Sequence, residues 1–264
     1  MVDISLVVLV IFVISTVFGI YKLIKFGITL AALLSVAFSV ALLVMGVALY
    51  MDVNEFQEKF ETAPKLFLLK ENRTLLAGFS GRLGTTSEQA ELLTAAALAD
   101  LQADYDANKL DGMRGGNYKL FFVDLVAFGN ITGRIMVDDT EYGREEIIQF
   151  IHSQAPLDDF TEDLLARREV QVQQRDAAKK RLLKGLRENA PDDTAFRANL
   201  FTLLLAQAVK EQGSRFLLYE FQRDHIRIYP ETALFKLVKY IPPRYLSQIL
   251  QEETTPTSNA TGQA

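Results

Sequence analysis

The chain of 264 residues contains no cysteine and only two histidines, His152 and His225. Zinc sites built from His and Cys, Cys–His nucleophile pairs and Ser–His arrangements all need residues that this composition barely supplies. Zero cysteine also rules out disulfides without fixing a compartment, since an exported chain without disulfides and a cytosolic chain without thiols have the same count. Neither histidine has a metal partner beside it: His225 alternates with Arg227 in "RDHIRIY", and His152 follows "IIQFI" near a predicted helix end. No cofactor is expected.

Phosphate-binding motifs are missing as well. In "GFSGRLGTTSEQAE" the glycines Gly78, Gly81 and Gly84 are three apart, and Thr85 stands where a phosphate loop would place Lys. Neither G-x-x-x-x-G-K-[S/T] nor G-x-G-x-x-G fits. Two readings remain. Arg82, Gly84, Thr85 and Thr86 could hold an anion at the free N–H groups of a helix start. Alternatively the glycines let a strand exit and turn, and the threonines cap the helix. The acidic group Asp138, Asp139 and Glu141 in "VDDTE" could ligate a hard cation through oxygen, or serve as a cap where a strand hands over to a helix.

Charge is absent from two long stretches. Ile4–Tyr21 and Ile28–Met51 hold no Asp, Glu, Lys, Arg or His, and each approaches or exceeds the roughly 20 residues a membrane-crossing helix needs. A signal peptide is a poor fit: "MVD" brings no basic residue, and "KLIKFG" follows where a small-residue cleavage site belongs. Because one helix through both stretches would overrun a bilayer, the chain is expected to turn at 22–27, forming a hairpin with helices at about 4–21 and 28–51. Lipid gives helices no hydrophobic reason to pair, so small residues must allow close approach. Ala31, Ser35 and Ser39 recur every fourth residue, and Ser15 and Gly19 could face them.

Lys22 and Lys25 in the turn favour a cytoplasmic turn with both ends of the chain outside. Sequons at Asn72, Asn130 and Asn259 would point outward in a host that glycosylates. The first two also fall in predicted hairpin turns, where Asn tolerates left-handed backbone angles.

Beyond the membrane, "DVNEFQEKFETAP" is expected to continue the second helix until Pro64. "KLFLLK" and "RTLLAGFS" read as a hairpin around "EN"; "NYKLFFVDLVAF" and "ITGRIMVDD" as another around "GN"; "RFLLYEFQ" and "HIRIYP" as a third around "RD". Residues 85–108 read as a helix with capping boxes at Thr85–Glu88 or Thr86–Gln89, ended by "KLDGMRGGN", and a short helix is expected from Glu231 towards Ile241. Residues 158–213 read as two helices separated by "NAPDD": the first acidic at its start and basic at its end, as suits the helix dipole, the second apolar, too short to span a bilayer and buried.

Hairpins with helices between them predict an α+β domain on an antiparallel sheet. The organisation is a transmembrane hairpin with a juxtamembrane helix at 1–63, an α+β domain at 64–251 and a polar, disordered tail at 252–264. "LFLLKENRTLLAGFSG", "HIRIYPETALFKLVKYIP" and the two apolar helices resemble a family of uncharacterised small archaeal membrane proteins. That resemblance implies a fold and no activity. The opening "MVDISLVVLVIFVISTVFGIYKLIKFG" is also similar to the start of the colicin V production family, whose further spans are absent here.

An anchor joined to a domain poor in reactive side chains points to a non-catalytic, partner-binding or ligand-sensing protein. The expected partners are the bilayer and another protein or a second copy. The alternatives are a tethered enzyme working through Asp124, Asp138 or Asp139, and a structural scaffold. The basic run from Arg175 to Arg187 reads as a solvated helix face; with net charge −5 and no recognition motif, nucleic acid is not an expected partner.

Overall fold

The computed structural model describes residues 22, 34–48, 50–52, 54–55, 58–59, 62–82, 90–137, 139–213 and 215–241. Contacts divide the chain into two compact units, Met1–Val53 and Asn54–Ala264. In the first, helix α1 (Leu34–Asp52) is long and apolar enough to cross a membrane, and none of that window is buried. Leu34, Phe38, Leu43 and Val47 are all exposed. Ser39 Oγ donates to the Ser35 carbonyl at 2.9 Å, one turn back within the same helix. The expected first span lies outside the described residues, as do Ser15, Gly19 and Ala31.

The second unit begins helical and stops at Pro64, as expected: Thr62 is helical and the Ala63 N–H still reaches the Lys59 carbonyl at 3.0 Å. Next comes the expected hairpin, β1 (Lys65–Glu71) and β2 (Thr74–Gly81), with Asn72 at φ 55° in its turn. β3 (Glu91–Leu92) pairs with β2, and helices α2 (Ala95–Asp106) and α3 (Leu110–Arg114) lead to β4 (Leu120–Asp124). The chain continues through a 3-10 helix (Leu125–Asn130), the small β5–β6 hairpin (Ile135–Val137, Thr140–Tyr142) and helices α4 (Arg144–His152) and α5 (Pro156–Arg167). It closes with α6 (Val172–Asn189), α7 (Asp193–Gln212), α8 (Arg215–Gln222), β7 (Ile226–Tyr229) and α9 (Ala233–Val238).

The class is α+β, but the sheet is mixed. Its order is β3-β2-β1-β4-β7, with β1 and β4 parallel and the other pairs antiparallel. The second expected hairpin does not form. Asp124 ends β4 by accepting the Val126 N–H, which starts the 3-10 helix, so "LVAF" leaves the sheet and β4 pairs with β1 and β7 instead. The third fails because "RFLLYEFQ" is a helix: Phe216, Leu217, Glu220 and Phe221 form one buried helical face, a period that its aromatic content disguises.

The helix expected from Thr85 starts at Ala95, capped by Thr94, after β3; the Thr85 and Thr86 capping boxes lie outside the described residues. The charged helix expected from 158 breaks at Glu169, φ 50°, into α5 and α6. Its opposite charges meet across that break, where Lys179 contacts Asp158 at 3.2 Å and Glu162 at 2.7 Å.

The runs "LFLL" in β1 and "LFFV" in β4 are continuously apolar because both sheet faces are covered. Phe67, Leu69, Phe121 and Val123 face a large core that includes α7, with Phe67 stacked between Phe79 (5.0 Å) and Phe121 (4.9 Å). Leu66, Leu68, Leu120 and Phe122 face the other way, onto Leu98 of α2 and Leu110 and Met113 of α3. Helix α7 is the buried core helix expected from its sequence, with Phe196, Leu200, Phe201 and Leu204 almost fully enclosed.

Candidate functional site

Two places in the second unit combine chemistry with shape. The first is a cleft of about 650 Å³ between α6 and α7, closed at its sides by β5 and the edge strand β3. Its volume is that of an ordinary small-molecule site. α6 packs beside α5, where Lys179 pairs with Asp158 and Glu162, and its other side faces α7 across the cleft. From α6 come Arg181, Leu182, Gly185, Leu186, Glu188 and Asn189; seven and four residues apart, they share one helical face. Asn199 and Leu203 of α7 form the facing wall, and Leu92, Met136 and Val137 add apolar surface. Asn199 Oδ1 is wholly buried and has no hydrogen-bond partner among the described residues.

The second place is the charged edge where parallel strands β1 and β4 end. Lys70 and Asp124 are register partners and form an ion pair at 2.9 Å, while Asp124 Oδ1 caps the 3-10 helix. The Asp124 N–H donates to the His225 carbonyl, bringing the start of β7 alongside. Glu220 of α8, only 1% exposed, sits 2.7 Å from His225 Nδ1. A carboxylate only accepts, so in the neutral imidazole the proton belongs on Nδ1, and Nε2 is left as an acceptor. Among the described residues no hydroxyl hydrogen-bonds His225. The pair therefore has the oriented base of a proton-transfer site, with no nucleophile bonded to it among the described residues.

Around Tyr142 lies a third polar group. Burial first, and then the Asp163 carboxylate, push the Tyr142 hydroxyl far above the usual phenol range, while the Arg167 guanidinium stacks on its ring at 4.4 Å. Arg167 also bonds Asp163 at 2.6 Å and pairs with Glu146, which braces α4 against α5, while the buried Tyr142 hydroxyl has no hydrogen-bond partner among the described residues.

Of the residues singled out from sequence, Arg82 follows β2, and Gly84, Thr85 and Thr86 lie outside the described residues. Gly78 lies within β2, and Gly81 is its last residue. Gly78 allows close packing: a Cβ there would meet Leu68 Cδ2 at 2.6 Å and Leu93 Cδ1 at 2.7 Å. Asp139, at φ 61°, turns the β5–β6 hairpin, and Glu141 is exposed on β6, so this acidic stretch joins two strands and does not open a helix. Asp138 is outside the described residues, among which no group of three or more His, Asp or Glu could hold a metal. Asn72 and Asn130 are exposed, Asn130 at the end of the 3-10 helix and not in a hairpin turn. Asn259 lies outside the described residues.

Glu220, Lys65 and Lys119 escaped the sequence reading. Lys65 and Lys119 are buried, with Nζ atoms donating to the Ala63 and Pro230 carbonyls at 2.9 Å each. Nothing local in "APKLF" or "NYKLF" distinguishes a buried lysine from a surface one; the tertiary fold decides. No protein-family model matches the chain, nor does any curated protein or solved structure.

Proposed function

We propose that the chain is anchored in a membrane by two N-terminal spans, at about 4–21 and 28–51, and that its α+β domain binds a partner or senses a ligand without catalysing a reaction. The observation that carries this reading is α1: apolar side chains stand exposed around the helix, which in water would be a large uncompensated apolar surface and in a bilayer is solvated by lipid. The α6–α7 cleft supplies the domain with a place to bind.

Lys22 and Lys25 support a cytoplasmic turn with the α+β domain outside. A tethered enzyme working through Asp124 draws less support, because that carboxylate is occupied by Lys70 and by the cap of the 3-10 helix. The chain has no native cysteine, so single-cysteine variants read topology directly. In intact cells, an impermeant thiol reagent should label Lys109→Cys and spare Lys22→Cys; the reverse pattern places the domain inside. Crosslinking in native membranes should recover a stable complex, and a partnerless protein with measurable turnover would sink the binding reading.

A further inference from the structure

The cleft between α6 and α7 has three features that packing does not require. Gly185 lies in the middle of an 18-residue helix, where glycine is unfavourable, and a Cβ added there would meet nothing within 4 Å. Its missing side chain relieves no crowding; it lowers the floor of the cleft. Arg181 and Glu188 line the cleft seven residues apart, and among the described residues neither has an ion-pair or hydrogen-bond partner. Asn199, the polar side chain on the α7 wall, has a buried Oδ1 that no described residue bonds.

Seven residues of α-helix span about 10 Å, which is also about the reach of three residues of extended chain. Opposite charges at that spacing, with Leu182 and Leu186 between them, complement a zwitterion with an apolar middle. Carbonyl groups at the end of α6 add to the preference for a cation beside Glu188. Resting on the reading of this unit as a ligand-binding domain, we propose that the cleft takes a short peptide of about three residues in extended form, with apolar side chains and free termini. Its carboxylate pairs with Arg181 and its ammonium with Glu188. Asn199 Oδ1 accepts a peptide N–H, and Leu182, Leu186 and Leu203 receive the side chains.

The test is calorimetric titration of the full chain in nanodiscs with Ala-Leu-Ala, its N-acetylated form and its C-terminal amide. Saturable one-to-one binding of the free tripeptide is expected, weakened about tenfold by blocking either end. Gly185→Leu should abolish binding without lowering the melting temperature, because the new side chain enters open space. Arg181→Gln should make the acid and the amide bind equally. No heat at millimolar peptide, blocked peptides binding as tightly as free ones, or full affinity in Gly185→Leu would each overturn the assignment. A crosslinked partner without peptide binding removes this site and leaves the binding-domain reading intact; peptide binding without a crosslinked partner does the opposite to the partner-binding part of it.

Discussion

The Asp192 carboxylate reaches across 97 positions of chain to accept the N–H of Ala95 at 3.0 Å through Oδ2, while its Oδ1 accepts the N–H of Ala195 at 2.7 Å. One side chain thus caps α7 and satisfies a free N–H in the first turn of α2. Helices that cover opposite faces of the sheet are tied at their N-termini by a single residue.

Removing that carboxylate should cost more than an ordinary cap. Asp192→Ala is expected to lower stability by about 2 kcal/mol, roughly one for each helix end. Asp192→Asn, which keeps one acceptor, should recover about half. Urea unfolding of the full chain in detergent, followed by helical circular dichroism, measures both.

Glu220 and His225 should be coupled. His225→Leu leaves a buried carboxylate with, among the described residues, only Arg223, at 3.8 Å, to offset its charge. A loss of about 3 kcal/mol is expected. Glu220→Leu combined with His225→Leu should cost much less than the sum of the single changes, because no charge is then left uncompensated. A double-mutant cycle on unfolding free energies reads the coupling directly.

Two glycines should respond oppositely to the same change. Gly78→Ala forces a Cβ to within 2.6 Å of Leu68 and 3.0 Å of the Phe67 carbonyl oxygen, in the middle of β2. A loss of about 1–3 kcal/mol is expected from that overpacking. Gly185→Ala meets nothing and gains helix propensity, so stability should rise by up to about 1 kcal/mol. Thermal melts of the two variants against the parent chain decide the pair.

Stability should fall in acid partly through Glu146. The Gly143 N–H bonded to its carboxylate, and next the Arg167 side chain, hold its pKa below the ordinary 4.5. A carboxyl group depressed by folding contributes fully above its unfolded value and loses that contribution as pH falls through the lower folded value. The acid limb should therefore lie below about pH 4.5. Glu146→Gln should flatten it while leaving the neutral-to-alkaline profile parallel to the parent's.

Several features are legible in the sequence because their causes are local. The apolar run of α1, the Asn72 turn between β1 and β2 and the stop at Pro64 each follow from composition or from a residue's own backbone preferences. Pairing does not. "LFFVDLVAF" is apolar enough for a strand throughout, and only the Asp124 cap, with β1 on one side and β7 on the other, ends it at residue 124. The strand partners are distant in sequence, and a short apolar run has no period that names them.

The candidate sites divide in the same way. Sequence alone determined that this protein has no cysteine and only two histidines, carries an apolar helix suited to a membrane, and places a charged helix before a buried one. Only the tertiary structure decided that Glu220 is buried against His225, that Lys179 pairs with the acids of α5, and that Arg181, Gly185 and Glu188 line an open cleft. Those outcomes depend on which surfaces other elements cover, and burial is a property of the assembled fold, which no residue carries by itself.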